Sequence, residues 1–230
     1  MSPDPESSHG LNIGNVNSAL PDQARIESVN VGTAVDVPWG QLKHSAIDKR
    51  PTAGAVPIHT RGVGGDQIAD LKHHGGVDQA VYAFAGEELD WWARELGREL
   101  TPGQFGENLT TRDIDVDGAR IGDRWRTGTA VLEVASVRIP CSVFQGFLGE
   151  KQWVKRFTQR GRPGAYLRVV EAGELRAGDT IEVIETRDHD LTVSHTFRAL
   201  TTQRDLLPTL AAESRMAASI KRQLAELGIG

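Results

Sequence analysis

The chain has 230 residues and a formal net charge of −5. That is long enough for one large or two small domains with a real core, and too acidic overall for broad binding to nucleic acid or a membrane surface. Its single cysteine excludes an internal disulfide and fits a reducing compartment, and no apolar run reaches membrane-spanning length, so the cytoplasm is the expected location. The opening, Met1-Ser-Pro-Asp-Pro-Glu-Ser-Ser-His-Gly10, lacks the apolar core of a signal peptide, and residues 1–20 read as a disordered leader.

Beyond the leader, short apolar runs lie between turn signals. Strands are expected at Ala24–Val31 and Gln79–Ala85. Glu87–Leu100 then reads as a helix with Leu89, Trp92, Leu96 and Leu100 on one face, its tryptophans serving as core anchors. Further strands are expected at Arg124–Arg126 and Ala130–Val137, with a helix near Gly149–Thr158 and strands at Ala165–Val170 and Thr180–Ile184. Turns such as Asp117-Gly118, Arg126-Thr127-Gly128 and Ala177-Gly178-Asp179 punctuate them. This spacing predicts a mainly β chain with helices, an α+β fold whose sheet closes into a barrel over residues 21–186.

The charged stretch Thr186-Arg-Asp-His-Asp190 reads as a linker, and residues 187–230 as a small three-helix appendage. Thr202-Gln-Arg-Asp205 resembles a capping box, and Met216, Ile220, Leu224 and Leu227 form an apolar stripe on the last helix.

Cys141 follows the Ala130–Val137 run directly after Arg138-Ile139-Pro140. A thiolate is the form that attacks electrophiles and ligates soft metals, and a nearby cation favours it; the plainer reading is a small buried hydrophobe. Glycine-rich strings with polar or cationic partners stand at Gly62–Asp66, His73-His74-Gly75-Gly76, Phe105–Leu109 and Gly161–Arg168. Glycine lets backbone amides approach a ligand, and the cations supply donors for an anion. None is a standard nucleotide loop: Gly62-Val-Gly64-Gly65 lacks the third glycine of the dinucleotide fingerprint, and no Gly-Lys-Ser/Thr ending occurs. His73-His74 invites a zinc reading, but adjacent histidines point apart and no other ligand spacing accompanies them. A Cys141–His74 nucleophile–base pair is a further alternative.

In order, Lys43-His-Ser-Ala-Ile47, Gly65-Asp66-Gln67, Ala69-Asp70, His73-His-Gly-Gly76, Phe105-Gly-Glu-Asn-Leu109, Ile121-Gly-Asp123, Pro140-Cys141, Gly161-Arg-Pro-Gly-Ala-Tyr166 and Ala177-Gly-Asp179 resemble the MOSC family, named from the C-terminal part of molybdenum-cofactor sulfurases. The helical tail resembles that of the family's YiiM-like bacterial branch. The resemblance implies a β-barrel holding the molybdenum cofactor, with Cys141 as catalytic thiolate and metal ligand. It implies cofactor contacts from Lys43, Ser45, His73, His74, Gly75, Asn108, Arg138 and Arg162. The implied activity is reduction of N-hydroxylated compounds, such as hydroxylamino bases, to amines. The implied partners are a small-molecule substrate and an external electron-donating reductase, with no nucleic-acid polymer and no membrane, in a chain that is monomeric or a homodimer. The alternatives are a non-catalytic cofactor carrier and a sulfur carrier using Cys141, the latter disfavoured because the chain has no room for a desulfurase domain. After Cys141 the chain has Ser142-Val143-Phe144, where relatives often place a polar or basic residue, which alters the expected pocket rim.

Overall fold

The computed structural model describes residues 23–39, 43–69 and 75–230. The expected leader and the pair His73-His74 lie outside these residues. The chain opens with β1 (Arg25–Gly32), a small hairpin of β2 (Val35–Asp36) and β3 (His44–Ser45), and three short strands, β4 (Lys49–Pro51), β5 (Val56–His59) and β6 (Gly62–Val63). A 3-10 turn at Val77–Gln79 leads into β7 (Val81–Ala85), α1 (Gly86–Leu96) and β8 (Leu109–Arg112). The hairpin of β9 (Arg124–Thr127) and β10 (Ala130–Val137) precedes α2 (Ser142–Leu148) and α3 (Trp153–Arg160). The sheet resumes with β11 (Ala165–Glu171), β12 (Gly173–Leu175) and β13 (Ile181–Glu185), and the tail comprises α4 (Val193–Thr201), a 3-10 helix at Arg204–Ala212 and α5 (Ala218–Glu226).

Eight strands form the main sheet in the order β13-β9-β10-β11-β7-β8-β1-β4. Its one parallel pair is β7 with β8, the connection that carries α1. The fold is therefore α+β as expected, but the expected closed barrel is corrected: β13 and β4 remain edge strands. The sheet curls far enough for three backbone hydrogen bonds of 2.8 Å, from Ile26 N–H to Asp179 O, from Gly178 N–H to Ile26 O and from Ile181 N–H to Ala24 O, around a single bridge between Arg25 and Thr180. That contact never becomes a ladder. β13 pairs along one edge with β9, and β4 takes the far end of β1, from Asn30 to Gly32, so the two terminal strands of the sheet do not pair with each other.

All eight residues of β10 are buried, which explains its uninterrupted apolar character. One hydrophobic cluster joins the sheet to the tail through residues including Trp125, Leu132, Phe197, Leu210, Ile220 and Leu224. Of the expected stripe on the last helix, Met216, Ile220 and Leu224 are buried and Leu227 is 51% exposed. A second, aromatic cluster packs α1, α2 and α3 together, with Trp92, Phe105, Phe144, Trp153 and Phe157 fully buried. Helix α1 stops before its expected end because Gly97 takes a left-handed conformation (φ +63°) and its N–H caps Ala93 and Arg94. Thr202 caps no N-terminus; it closes the C-terminal end of α4, whose true N-cap is Thr192, accepting the His195 N–H at 3.0 Å. No helix among the described residues is long and apolar enough to cross a membrane.

The start of β11 is fixed by a buried carboxylate. Asp117 Oδ1 accepts the Gly164 N–H at 2.9 Å, and a Cβ on Gly164 would stand 2.5 Å from Ala83 O. Burial raises the Asp117 pKa from 3.8 to about 7, against the Gly164 hydrogen bond and the Arg162 charge. The folded state thus holds a proton that the unfolded chain releases near pH 4, so this group's contribution declines as pH rises from about 4 to 7. The full span corresponds to roughly 4 kcal/mol at most. Asp117→Asn, which retains an acceptor for Gly164, is expected to flatten this pH dependence and gain relative stability at pH 7.5 over pH 4.5, as read by urea unfolding at both values. An unchanged slope would refute the assignment.

Candidate functional site

A cavity of about 310 Å3 opens where β7, the loop before β8 and the end of β10 converge beneath the segments 44–49 and 62–69. Each wall has a local cause. β10 ends at Val137, and after Pro140, which has no N–H to continue a ladder, Cys141 stands as the N-cap of α2, half-buried and on the cavity wall. Phe144, one turn into α2, anchors that helix in the aromatic cluster. Tyr82 and Tyr166 are register partners on β7 and β11, with ring centroids 5.2 Å apart, and both line the cavity.

Arg138 is the centre of this arrangement. It is only 7% exposed, yet it borders the cavity, its guanidinium 5.0 Å from the Tyr82 ring centroid and 4.5 Å from that of Phe144. Among the described residues no carboxylate lies within 4 Å of it, because the nearby acids are committed elsewhere. Glu107 accepts the N–H groups of Gly103 and Phe105 and the Thr110 hydroxyl, at 2.6, 2.9 and 2.8 Å. Burial pushes the Glu107 carboxyl up against those bonds. Asp66 takes the Lys49 ammonium at 2.5 Å, the Gly32 N–H at 2.8 Å and the Asn108 amide at 2.9 Å. Burial also lowers the Lys49 pKa, opposed by Asp66. Burial pulls the Arg138 pKa down, but Tyr166, Tyr82 and Cys141 outweigh it and the net displacement is upward. Burial holds both phenols above their ordinary value, so at neutral pH they are uncharged and form no ion pair with the guanidinium. The result is a desolvated, aromatic-stacked cation facing an open volume, which is what an anionic ligand requires.

Five of the residues singled out from sequence meet here: Ser45, Gly75, Asn108, Arg138 and Cys141 all line the cavity. Ser45 Oγ accepts the Ile47 N–H at 3.2 Å. Gly75 adopts φ +85° and donates its N–H to Gln79 Oε1 at 3.1 Å. The Asn108 amide is spent on scaffold: its oxygen accepts the Tyr82 N–H and its nitrogen serves Asp66 and Asn30 O. Lys43 is exposed and does not line the cavity. Arg162 does not line it either; it bonds Glu88 and Asp115 at 2.7 Å each, beside Asp117. The pair Lys49–Asp66 and the two tyrosines were not singled out as site residues. Asp66 and Tyr166 stood within glycine-rich strings, whereas Tyr82 carries no local signal and meets Tyr166 only through strand register. Among the described residues no three His, Cys, Asp or Glu side chains gather as a metal cage; His73-His74, on which the zinc reading rests, lie outside them, and Cys141 brings a single sulfur to the cavity.

The MOSC domain model matches residues 70–182. The chain is 32% identical to the Bacillus subtilis (strain 168) protein YflK over 205 residues, covering 85% of this chain and 93% of that one. It is 34% identical over 145 residues to a Gibberella moniliformis protein named Reductase, covering 61% of this chain and 26% of that protein. The crystal structure of YiiM from Geobacillus stearothermophilus superposes with a TM-score of 0.75 at 26% identity, covering 88% of this chain and 98% of that one.

Replacing a buried cation that has no carboxylate partner among the described residues by an apolar side chain of similar length is expected to cost no stability, since the desolvation penalty disappears with the charge. Arg138→Met should therefore melt at or above the parent temperature. Inorganic phosphate is expected to stabilise the parent by roughly 3 kcal/mol at a hundredfold excess over Kd, read as a rise in melting temperature, and Arg138→Met is expected to lose that response. A variant that melts far lower, or that keeps its phosphate response, would show Arg138 to be structural.

Proposed function

The chain belongs to the MOSC family, and from that membership we propose that it is a molybdenum-cofactor-binding oxidoreductase that reduces N-hydroxylated compounds, such as hydroxylamino bases, to amines. The observation that carries the reading is the convergence of the chain's one thiol and a guanidinium with no carboxylate partner among the described residues on the same cavity.

The donor set fits the cofactor. A metal that relied on protein ligands alone would need several, and Cys141 supplies one. A metal that arrives already chelated by a dithiolene needs only an additional soft ligand, which a thiolate provides. The same cofactor carries a phosphate, for which Arg138 is a ready partner. When bound, molybdenum supplies the two-electron chemistry of R–NH–OH + 2 e− + 2 H+ → R–NH2 + H2O, with electrons delivered by an external reductase. The chain's own residues bind and orient. Ile47, Val63 and Val143 give the cavity apolar walls that exclude water from a flat heterocycle. Tyr82 donates its hydroxyl hydrogen to Pro163 O at 2.7 Å, which fixes its ring beneath Arg138. The buried Tyr166 phenol keeps its proton at neutral pH and presents a neutral side chain to the cavity. The name Reductase on the Gibberella moniliformis relative agrees in direction with this reading.

Protein produced in a host that makes the cofactor is expected to carry about one molybdenum per chain by elemental analysis, and Cys141→Ser to lose at least about a hundredfold in reduction of a hydroxylamino base with an artificial electron donor. Absence of molybdenum from protein so produced would remove the cofactor reading, and full activity in Cys141→Ser would remove the thiolate role.

A further inference from the structure

The tail is tied to the cavity wall by one carboxylate. Asp78 lies in the 3-10 turn Val77–Gln79, between two cavity-lining residues, Gly75 and Gln79, which are themselves joined by the Gly75 N–H. Its Oδ2 accepts the Ala218 N–H at 2.7 Å, the first amide of α5, where a helix N-terminus favours negative charge. Its Oδ1 accepts the Arg168 guanidinium at 2.6 and 2.9 Å. Arg168 sits two residues from Tyr166 on the same face of β11 and also pairs with Glu133 on β10. Next to this junction Ala217 N–H donates to Ala135 O at 3.0 Å, and Met216 and Ala217 are buried against the sheet. One side chain thus joins the tail, the strand bearing Tyr166 and the turn bearing Gln79.

We propose that Asp78 is a positioning residue and that, through it, the C-terminal helical tail sets the Gly75–Gln79 wall of the cavity. The effect on turnover rests on the function proposed above; the effect on the wall does not. Ala218 permits a clean test. It is exposed and is the first residue of α5, a place where proline is well accepted, and Ala217 before it is extended (φ −53°, ψ 140°), as a residue preceding proline must be. Ala218→Pro removes the N–H that Asp78 accepts while keeping the helix; Ala218→Gly keeps the N–H while weakening the helix.

The experiment is hydrogen exchange of the peptide covering Gly75–Ala80 in the full cofactor-loaded chain, alongside kcat/KM for a hydroxylamino base. Losing that hydrogen bond is expected to speed exchange, and to lower kcat/KM, by about tenfold in both Ala218→Pro and Asp78→Ala, with no further change in the double variant and parent behaviour in Ala218→Gly. Parent-like exchange in Ala218→Pro would overturn the proposal, as would equal effects of proline and glycine, which would show helix stability to be the cause. If the parent itself fails to turn over, faster exchange in Ala218→Pro still upholds the positioning role while the functional reading falls. If Asp78→Ala does not fold, the comparison of the two Ala218 variants decides alone.

Discussion

A guanidinium buried without a counter-ion among the described residues is the constraint around which this site is arranged. Moving a charge out of water costs several kcal/mol unless something replaces the lost hydration. Arg138 is held there by construction: it continues a strand buried along its whole length, and its guanidinium lies against Tyr82 and Phe144. The loop before β8 comes so close that a Cβ on Gly106 would stand 3.2 Å from an Arg138 nitrogen. Cation–π contact offsets part of the desolvation. The remainder is a standing attraction for an anion, and the neighbouring acids do not quench it because backbone amides and Lys49 already engage them.

The cavity lies on the seam between two hydrophobic clusters of different character. One is aliphatic and runs through the sheet into the tail; the other is aromatic and clamps the three helices inserted between the strands. Cys141 sits where the chain passes from the first to the second, at a strand-to-helix junction. A sulfur there is anchored on both sides yet half-open to the cavity. The same logic places Tyr166 and Arg168 on a strand that serves the cavity at one end and the tail at the other, so the tail is packed into the site's support instead of hanging beside it.

Sequence alone determined the long strands, the amphipathic α1 and the α+β class, and it singled out Ser45, Gly75, Asn108, Arg138 and Cys141, which line one cavity. These are legible because burial imposes a local periodicity and because several short motifs in one order constrain each other. Helix α2 was not legible: seven residues with no side-chain N-cap and two buried positions give almost no pattern. The ligand role expected of Asn108 met a different demand, since its amide is consumed in holding β7, β1 and Asp66 together.

Only the tertiary structure decided whether the sheet would close, which cation would face the cavity and what the tail would touch. Closure depends on how the two ends of the sheet meet, and here β4 takes the far end of β1 while residues 178–181 touch the chain only at residues 24–26. Arg138 and Arg162 look alike in sequence; one is stacked on rings beside an open volume and the other is bonded to Glu88 on α1 and Asp115 after β8. Tyr82 meets Tyr166, and Asp78 meets Ala218, across separations of 84 and 140 residues. Such contacts are fixed by strand register and packing, which involve the whole chain at once, and no local run of residues encodes them.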